Sequence, residues 1–167
     1  MYRKHKVLLM AVFIVVVAIS YFFKFQYSYI ASDAINAIAI TSAIYLAAYA
    51  GIQASPSLRN ALKASDGVRK DKSQLYVINT YIKTALMLGV ITIVVSCIVI
   101  LISERINEMS ILIAEQQRME SNILRFSPAW NHVTSIISLL GMGLFFIDLT
   151  LVWIIGVFIA NRIAYNK

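Results

Sequence analysis

The chain has 167 residues, of which 60% are hydrophobic, and a formal net charge of +7. A mean hydropathy of +0.76 excludes an ordinary soluble domain, and the length leaves no room for one beside the apolar stretches. The single cysteine excludes an intrachain disulfide, and no basic patch interleaved with exposed aromatics points to direct nucleic-acid binding.

Four apolar runs, 7–23, 30–54, 76–102 and 133–160, each exceed or approach the ~20 residues that a helix needs to cross a bilayer. The first follows Arg3, Lys4 and Lys6 and ends in Tyr21-Phe22-Phe23-Lys24-Phe25. No small-residue cleavage site follows it, so it reads as an uncleaved anchor. The short link from Lys24 to Tyr29 predicts an antiparallel hairpin with the second run.

A second connection, 55–75, opens with Ser55-Pro56, a capping serine and a proline at the first helical position. It predicts a short basic helix over 57–65, ended by Asp66-Gly67, with Leu58, Ala61 and Leu62 on one face. Arg59, Lys63, Arg69, Lys70 and Lys72 make this segment a surface for anionic lipid headgroups or for a cytoplasmic partner protein.

The third connection, 103–132, carries Ile106, Met109, Ile113, Ile123 and Leu124 at near-helical spacing among charged and amide residues. It predicts an amphipathic extension of the third run, continuing as one long helix or turning onto the membrane surface. Ser127-Pro128 repeats the capping signature before the fourth run. Tyr21, Tyr27, Tyr29, Trp130 and His132 at one side, and Tyr76, Tyr81 and Tyr165 at the other, fit aromatic belts.

Orientation follows the distribution of Lys and Arg. Arg3, Lys4, Lys6, Arg59, Lys63, Arg69, Lys70, Lys72, Arg162 and Lys167 share one side, against Lys24, Arg105, Arg118 and Arg125 on the other. Both termini are therefore expected in the cytoplasm. His5 and His132 then fall on opposite sides and cannot share a site.

Within the runs, Asp148 is the costliest residue, since an ionised carboxylate at mid-bilayer costs at least ~2.5 kcal/mol. It reads either as an ion, proton or voltage-sensing site, or as a polar contact that sets helix register. Lys83 is the sole cation inside a run, and its depth favours snorkelling over pairing with Asp148. Asn36 adds an intramembrane amide, and Asp33 a helix-start charge.

Ala39, Ala43, Ala47 and Gly51 form a ladder at steps of four on the second run. Ala85, Gly89, Thr92 and Ser96 form a similar stripe on the third, and Ser138, Gly141 and Asp148 lie together on the fourth. Small residues let helix backbones approach closely, within one subunit or between subunits. Cys97 is an inert small hydrophobe. No phosphate-binding loop, metal-ligand spacing or nucleophile–base set appears, so neither catalysis nor a cofactor or metal is expected.

The segment from ASDAINAIAITSAIYLAAYAGIQASPSLRNALKASD to LYVINTYIKTALMLGVITIVVSCIVILIS resembles, in layout, small four-span bacterial anti-phage membrane proteins. These include the membrane component of the Rex exclusion system and the membrane subunit of Kiwa. The resemblance implies an oligomeric inner-membrane protein that responds to infection, with a cytoplasmic effector as partner. It carries no functional residue over. The residues themselves leave two further classes open: an ion-conducting or depolarising pore lined by Asp148, and an immunity or exclusion protein acting through its outer segment.

The expectation is an all-α integral membrane four-helix bundle, one domain over 1–167, with both termini inside and a short basic cytoplasmic helix. A periplasmic amphipathic extension covers 103–127. Its partners are the lipid bilayer, further copies of itself and a cytoplasmic effector.

Overall fold

A computed structural model describes residues 2–64, 66, 72–117 and 128–165. Five α-helices account for most of them: α1 (Arg3–Phe23), α2 (Ala31–Ala54), α3 (Pro56–Ala61), α4 (Gln74–Gln117) and α5 (Pro128–Tyr165). A single 3-10 turn, Tyr27–Tyr29, joins α1 to α2. Four stretches, Arg3–Phe23, Ala31–Ala54, Gln74–Ile106 and His132–Asn161, are long and apolar enough to cross a membrane.

The helices pack in the order α1, α5, α4, α2, so the two ends of this row are the helices adjacent in sequence. The expected α1–α2 hairpin keeps its antiparallel sense, but the two helices pack on α5 and α4 and not on each other. Lys24, in a left-handed conformation at φ 53°, ends α1, and the Phe25 N–H reaches back 3.0 Å to the Ser20 carbonyl. That turn sends the chain into Tyr27, which wedges between α4 and α5 and holds α1 and α2 apart. Helix α1 packs on α5 instead, where a side chain at Gly143 would overlap the Phe13 ring.

Contacts along the row alternate the helix directions. Tyr2 and Phe158 meet Tyr81, whereas Tyr27 meets Ser96, Ser138 and Gly141. One end therefore gathers the start of α1, the end of α2, α3, the start of α4 and the end of α5. Arg3, Lys4, Lys6, Arg59, Lys63 and Lys72 lie there, and we call it the basic end. The Tyr27 turn marks the other.

Each end has its own core. At the basic end Leu9, Tyr45, Ile52, Leu62, Ile82, Leu151 and Ile155 are buried together. At the Tyr27 end the cluster is smaller and includes Ala31, Ala34, Val99 and Met142. Small side chains set the spacing between them. Ala85, Gly89, Thr92 and Ser96 of α4 are all buried, and a Cβ on Gly89 would sit 3.0 Å from the Ile38 side chain of α2.

Helix α3 is shorter than the expected 57–65 span and starts with the predicted cap, the Ser55 hydroxyl accepting the Leu58 N–H at 3.4 Å. Its apolar face lies on the bundle: Leu62 is buried and Leu58 half-buried, while Ala61, Arg59 and Lys63 are exposed. The chain then doubles back, with the Leu75 N–H donating to the Leu62 carbonyl at 2.8 Å. Helix α4 runs on without a break to Gln117, about 66 Å at 1.5 Å per residue, well past the ~30 Å of a hydrocarbon core. Of the two readings of the third connection, the continuous helix holds as far as Gln117.

Gly141 is as tightly enclosed as Gly143, because any Cβ there would overlap the buried Tyr27 ring. Gly141→Ala should lower stability by ~1–3 kcal/mol, as overpacking does. Gly51→Ala, with nothing within 4 Å, should leave stability unchanged within about 0.5 kcal/mol. Thermal unfolding of the two variants in detergent checks the contrast.

Candidate functional site

The buried polar groups of the bundle form a seam between α4 and α5, roofed by the Tyr27 turn. Tyr27 is fully buried, and Thr92 and Ser96 are too. The Tyr27 N–H donates to Ser138 Oγ at 2.7 Å, anchoring the turn to α5. Its hydroxyl lies 2.7 Å from Ser96 Oγ. Ser96 gives its single proton to the Thr92 carbonyl at 2.7 Å, the helical i−4 back-bond, so Tyr27 is the donor to Ser96. Burial pushes the Tyr27 hydroxyl above the usual tyrosine range, while the hydrogen bond with Ser96 pulls the other way. It therefore remains a donor at neutral pH.

One turn further in lies Asp148, only 6% exposed. Its Oδ2 is 2.6 Å from Thr92 Oγ1, which also sits 3.0 Å from the Leu88 carbonyl. Asp148 Oδ1 and the Tyr45 hydroxyl of α2 are buried without a hydrogen-bond partner among the described residues. Thr92 of α4 thus contacts the Asp148 carboxyl, with the hydroxyls of Tyr45 and Tyr27 within electrostatic reach of it.

Seen from the Tyr27 end, the seam begins at a cavity of about 710 Å³, open to the outside. Its wall mixes hydroxyls and one cation, Ser20, Lys24, Ser103, Thr134 and Ser138, with the apolar side chains of Ile102 and Ile106. Ser138 belongs both to this cavity and to the Tyr27 anchor.

A second polar knot ties the basic end. The Tyr2 N–H donates to the Tyr81 hydroxyl oxygen at 2.9 Å, and the Tyr2 hydroxyl donates to Asp66 Oδ1 at 2.7 Å. Tyr81 also lies 2.7 Å from His5 Nδ1 and stacks on Phe158. The three rings of Tyr2, His5 and Tyr81 meet edge to face. The start of α1 is thereby locked to α4 and to the α3–α4 connection.

These placements sort the candidates drawn from sequence. Asp148, Gly89 and Gly141 lie inside the bundle. Lys83 and Asn36 are exposed, and no ion pair joins Lys83 to Asp148 among the described residues. Ala39, Ala43, Ala47 and Gly51 are exposed as well, because α2 turns Ala31, Ala34, Ile38, Tyr45 and Ile52 inward. Lys72 lies over the Tyr76 ring at 4.2 Å, while Arg69 and Lys70 lie outside the described residues. Ile106 is half-buried at the cavity. The side chains of Met109 and Ile113, and all of Ile123, also lie outside the described residues.

Tyr27 and Tyr81 correct the expectation of aromatic belts, since both are buried and hydrogen-bonded inside the bundle. Their position near the ends of apolar runs is the same in either role. Tyr2 and Tyr45 carry no distinguishing signal in the sequence, and Asp66 beside Gly67 has the pattern of a helix breaker. Comparisons with protein-family models, curated proteins and solved structures find no match for the chain.

Removing the Thr92 hydroxyl should orphan the second Asp148 oxygen as well as the first. Thr92→Val is expected to cost ~1–3 kcal/mol, and Thr92→Ser, which keeps the hydroxyl, much less. Denaturant titration of the reconstituted protein, read by the helical signal, distinguishes the two.

Proposed function

We propose that this chain is a non-enzymatic, multi-pass bacterial inner-membrane protein that works as the oligomeric membrane subunit of an anti-phage defence or exclusion system. Both termini face the cytoplasm, the basic end lies against the inner leaflet, and infection sensed at the membrane is passed to a cytoplasmic effector protein. The layout of the second and third spans, which resembles that of anti-phage membrane proteins, supports the biological setting.

One observation carries the assembly: the Ala39–Ala43–Ala47–Gly51 ladder is exposed, and among the described residues nothing beyond its own stretch of helix lies within 4 Å of where a Gly51 side chain would begin. Hydrocarbon solvates leucine as well as it solvates alanine, so a smooth small-residue strip gains little from lipid. It gains van der Waals contact and close backbone approach from another helix. The ladder lies opposite the face through which α2 joins its own bundle, which leaves it free to meet a second copy. Arg59 and Lys63, exposed on α3, and Lys72 beside it form the basic surface that faces the effector and the anionic headgroups.

The alternative, an ion-conducting pore, would run its path past Asp148. That residue sits inside a single bundle with its carboxylate against Thr92, away from the exposed ladder, and this favours assembly over conduction.

Replacing Ala43 and Ala47 with leucine should reduce the oligomer to smaller species while leaving the single-chain fold intact, as read by size and mass in detergent. An unchanged oligomer removes the ladder from the interface. Reversing the charges of Arg69 and Lys70 should abolish co-purification with the effector, whereas retention of the effector removes this loop as its docking surface.

A further inference from the structure

The geometry points to Asp148 as a proton-binding site that exchanges with the outside through the Tyr27 end of the bundle and is closed towards the basic end. Three independent features lead there.

First, the hydrogen bonding around Thr92 accommodates a neutral carboxylic acid. Thr92 has one hydroxyl proton and two acceptors in range, the Leu88 carbonyl at 3.0 Å and Asp148 Oδ2 at 2.6 Å. When Asp148 carries a proton on Oδ2, the acid donates to Thr92 Oγ1 and Thr92 donates to Leu88, so both contacts are made. When the proton leaves, Thr92 must turn its hydroxyl to the carboxylate, and the Leu88 contact is lost. The buried negative charge then has a second oxygen, Oδ1, with no hydrogen-bond partner among the described residues. The site thus has two hydrogen-bonded arrangements that differ by one proton.

Second, the surroundings are asymmetric along the bundle. Towards the Tyr27 end, the side chains of Thr92 and Ser96 and the Tyr27 hydroxyl follow one another, and the Tyr27 N–H meets Ser138 on the wall of the 710 Å³ cavity. Thr92 and Ser96 are one helical turn apart on the same face, and Ser96 Oγ donates to the Thr92 carbonyl at 2.7 Å. Towards the basic end, the next buried residues of α5 are Leu151, Ile154 and Ile155, facing Ile82 and Ala85 of α4. On that side the Tyr45 hydroxyl is followed by these apolar side chains, which close the seam.

Third, the charges around the site leave the proton to decide its state. Tyr45 from α2 and Tyr27 from the turn are the titratable groups within electrostatic reach of Asp148. Helix α4 contributes Thr92 and no charge, since Lys83 is exposed and unpaired with Asp148, and the α1 side chains packed on α5, Phe13 and Val17, are apolar.

Protonation forms the Oδ2–H bond with a proton delivered from bulk water by way of the cavity, and deprotonation returns it by the same route. Asp148 and Thr92 join α5 to α4 in both states, and the proton decides whether Thr92 also keeps its contact with Leu88.

The test uses infrared spectroscopy of the full-length protein in lipid nanodiscs. A carboxylic-acid C=O band that appears on lowering the pH and is missing in Asp148→Asn is expected. Its shift on transfer to heavy water should be several-fold slower in Tyr27→Phe, which keeps the ring against Gly141 and loses the hydroxyl link to Ser96. Tyr81→Phe at the basic end should leave that rate unchanged. No acid band at any pH at which the protein stays folded overturns the site. An exchange rate that is indifferent to Tyr27→Phe, or slowed by Tyr81→Phe, overturns the route.

Discussion

The closeness of α4 and α5 at the level of Tyr27, Gly141 and Thr92 is the constraint on which the bundle depends. In a hydrocarbon surrounding, apolar side chains gain little by leaving lipid for protein, so helices are held by close packing and by interhelical hydrogen bonds. Both are concentrated here. Gly141 leaves room for the Tyr27 ring, Ser138 and Ser96 take its N–H and hydroxyl, and Thr92 meets Asp148. Model-peptide magnitudes of about 1–2 kcal/mol for one such polar contact make a set of three worth more than any single span's preference for a partner.

The two ends of the row are built differently, and the difference has consequences. At the basic end a large apolar cluster is capped by α3 and by the Tyr2–Asp66 and Tyr81–His5 contacts, which fasten the chain start to a loop 64 residues away. At the Tyr27 end the core is small, α4 continues past it, and a cavity opens beside the seam. The bundle is thus knotted at one end and open at the other. The exposed α2 ladder lies on the face turned away from this row.

Much of this was legible from residue types alone. The four spans follow from local apolar length, because crossing a bilayer is a property summed along one segment. Ser55-Pro56 announced the α3 start, and the cost of a mid-span carboxylate singled out Asp148. The three small-residue stripes were also visible, but not their directions: two face inward and the α2 ladder faces outward. Spacing by fours identifies a helix face without saying what lies opposite it. The misread tyrosines share that origin, since a ring with one polar atom suits a membrane interface and a hydrogen-bonded core equally well. Tyr27 is settled inside by the gap at Gly141, which belongs to another helix.

What the sequence determined by itself is therefore the helical class, the number and limits of the apolar spans, and the few residues too costly to leave in lipid. Each of these depends only on neighbours along the chain. Only the tertiary structure decided the order α1, α5, α4, α2, the outward turn of the α2 ladder, and the partners of Asp148 and Tyr27. Those depend on groups 56 to 111 residues apart. Such pairings are chosen by which side chains fit and which polar atoms find each other when the helices close, and no local pattern encodes that choice.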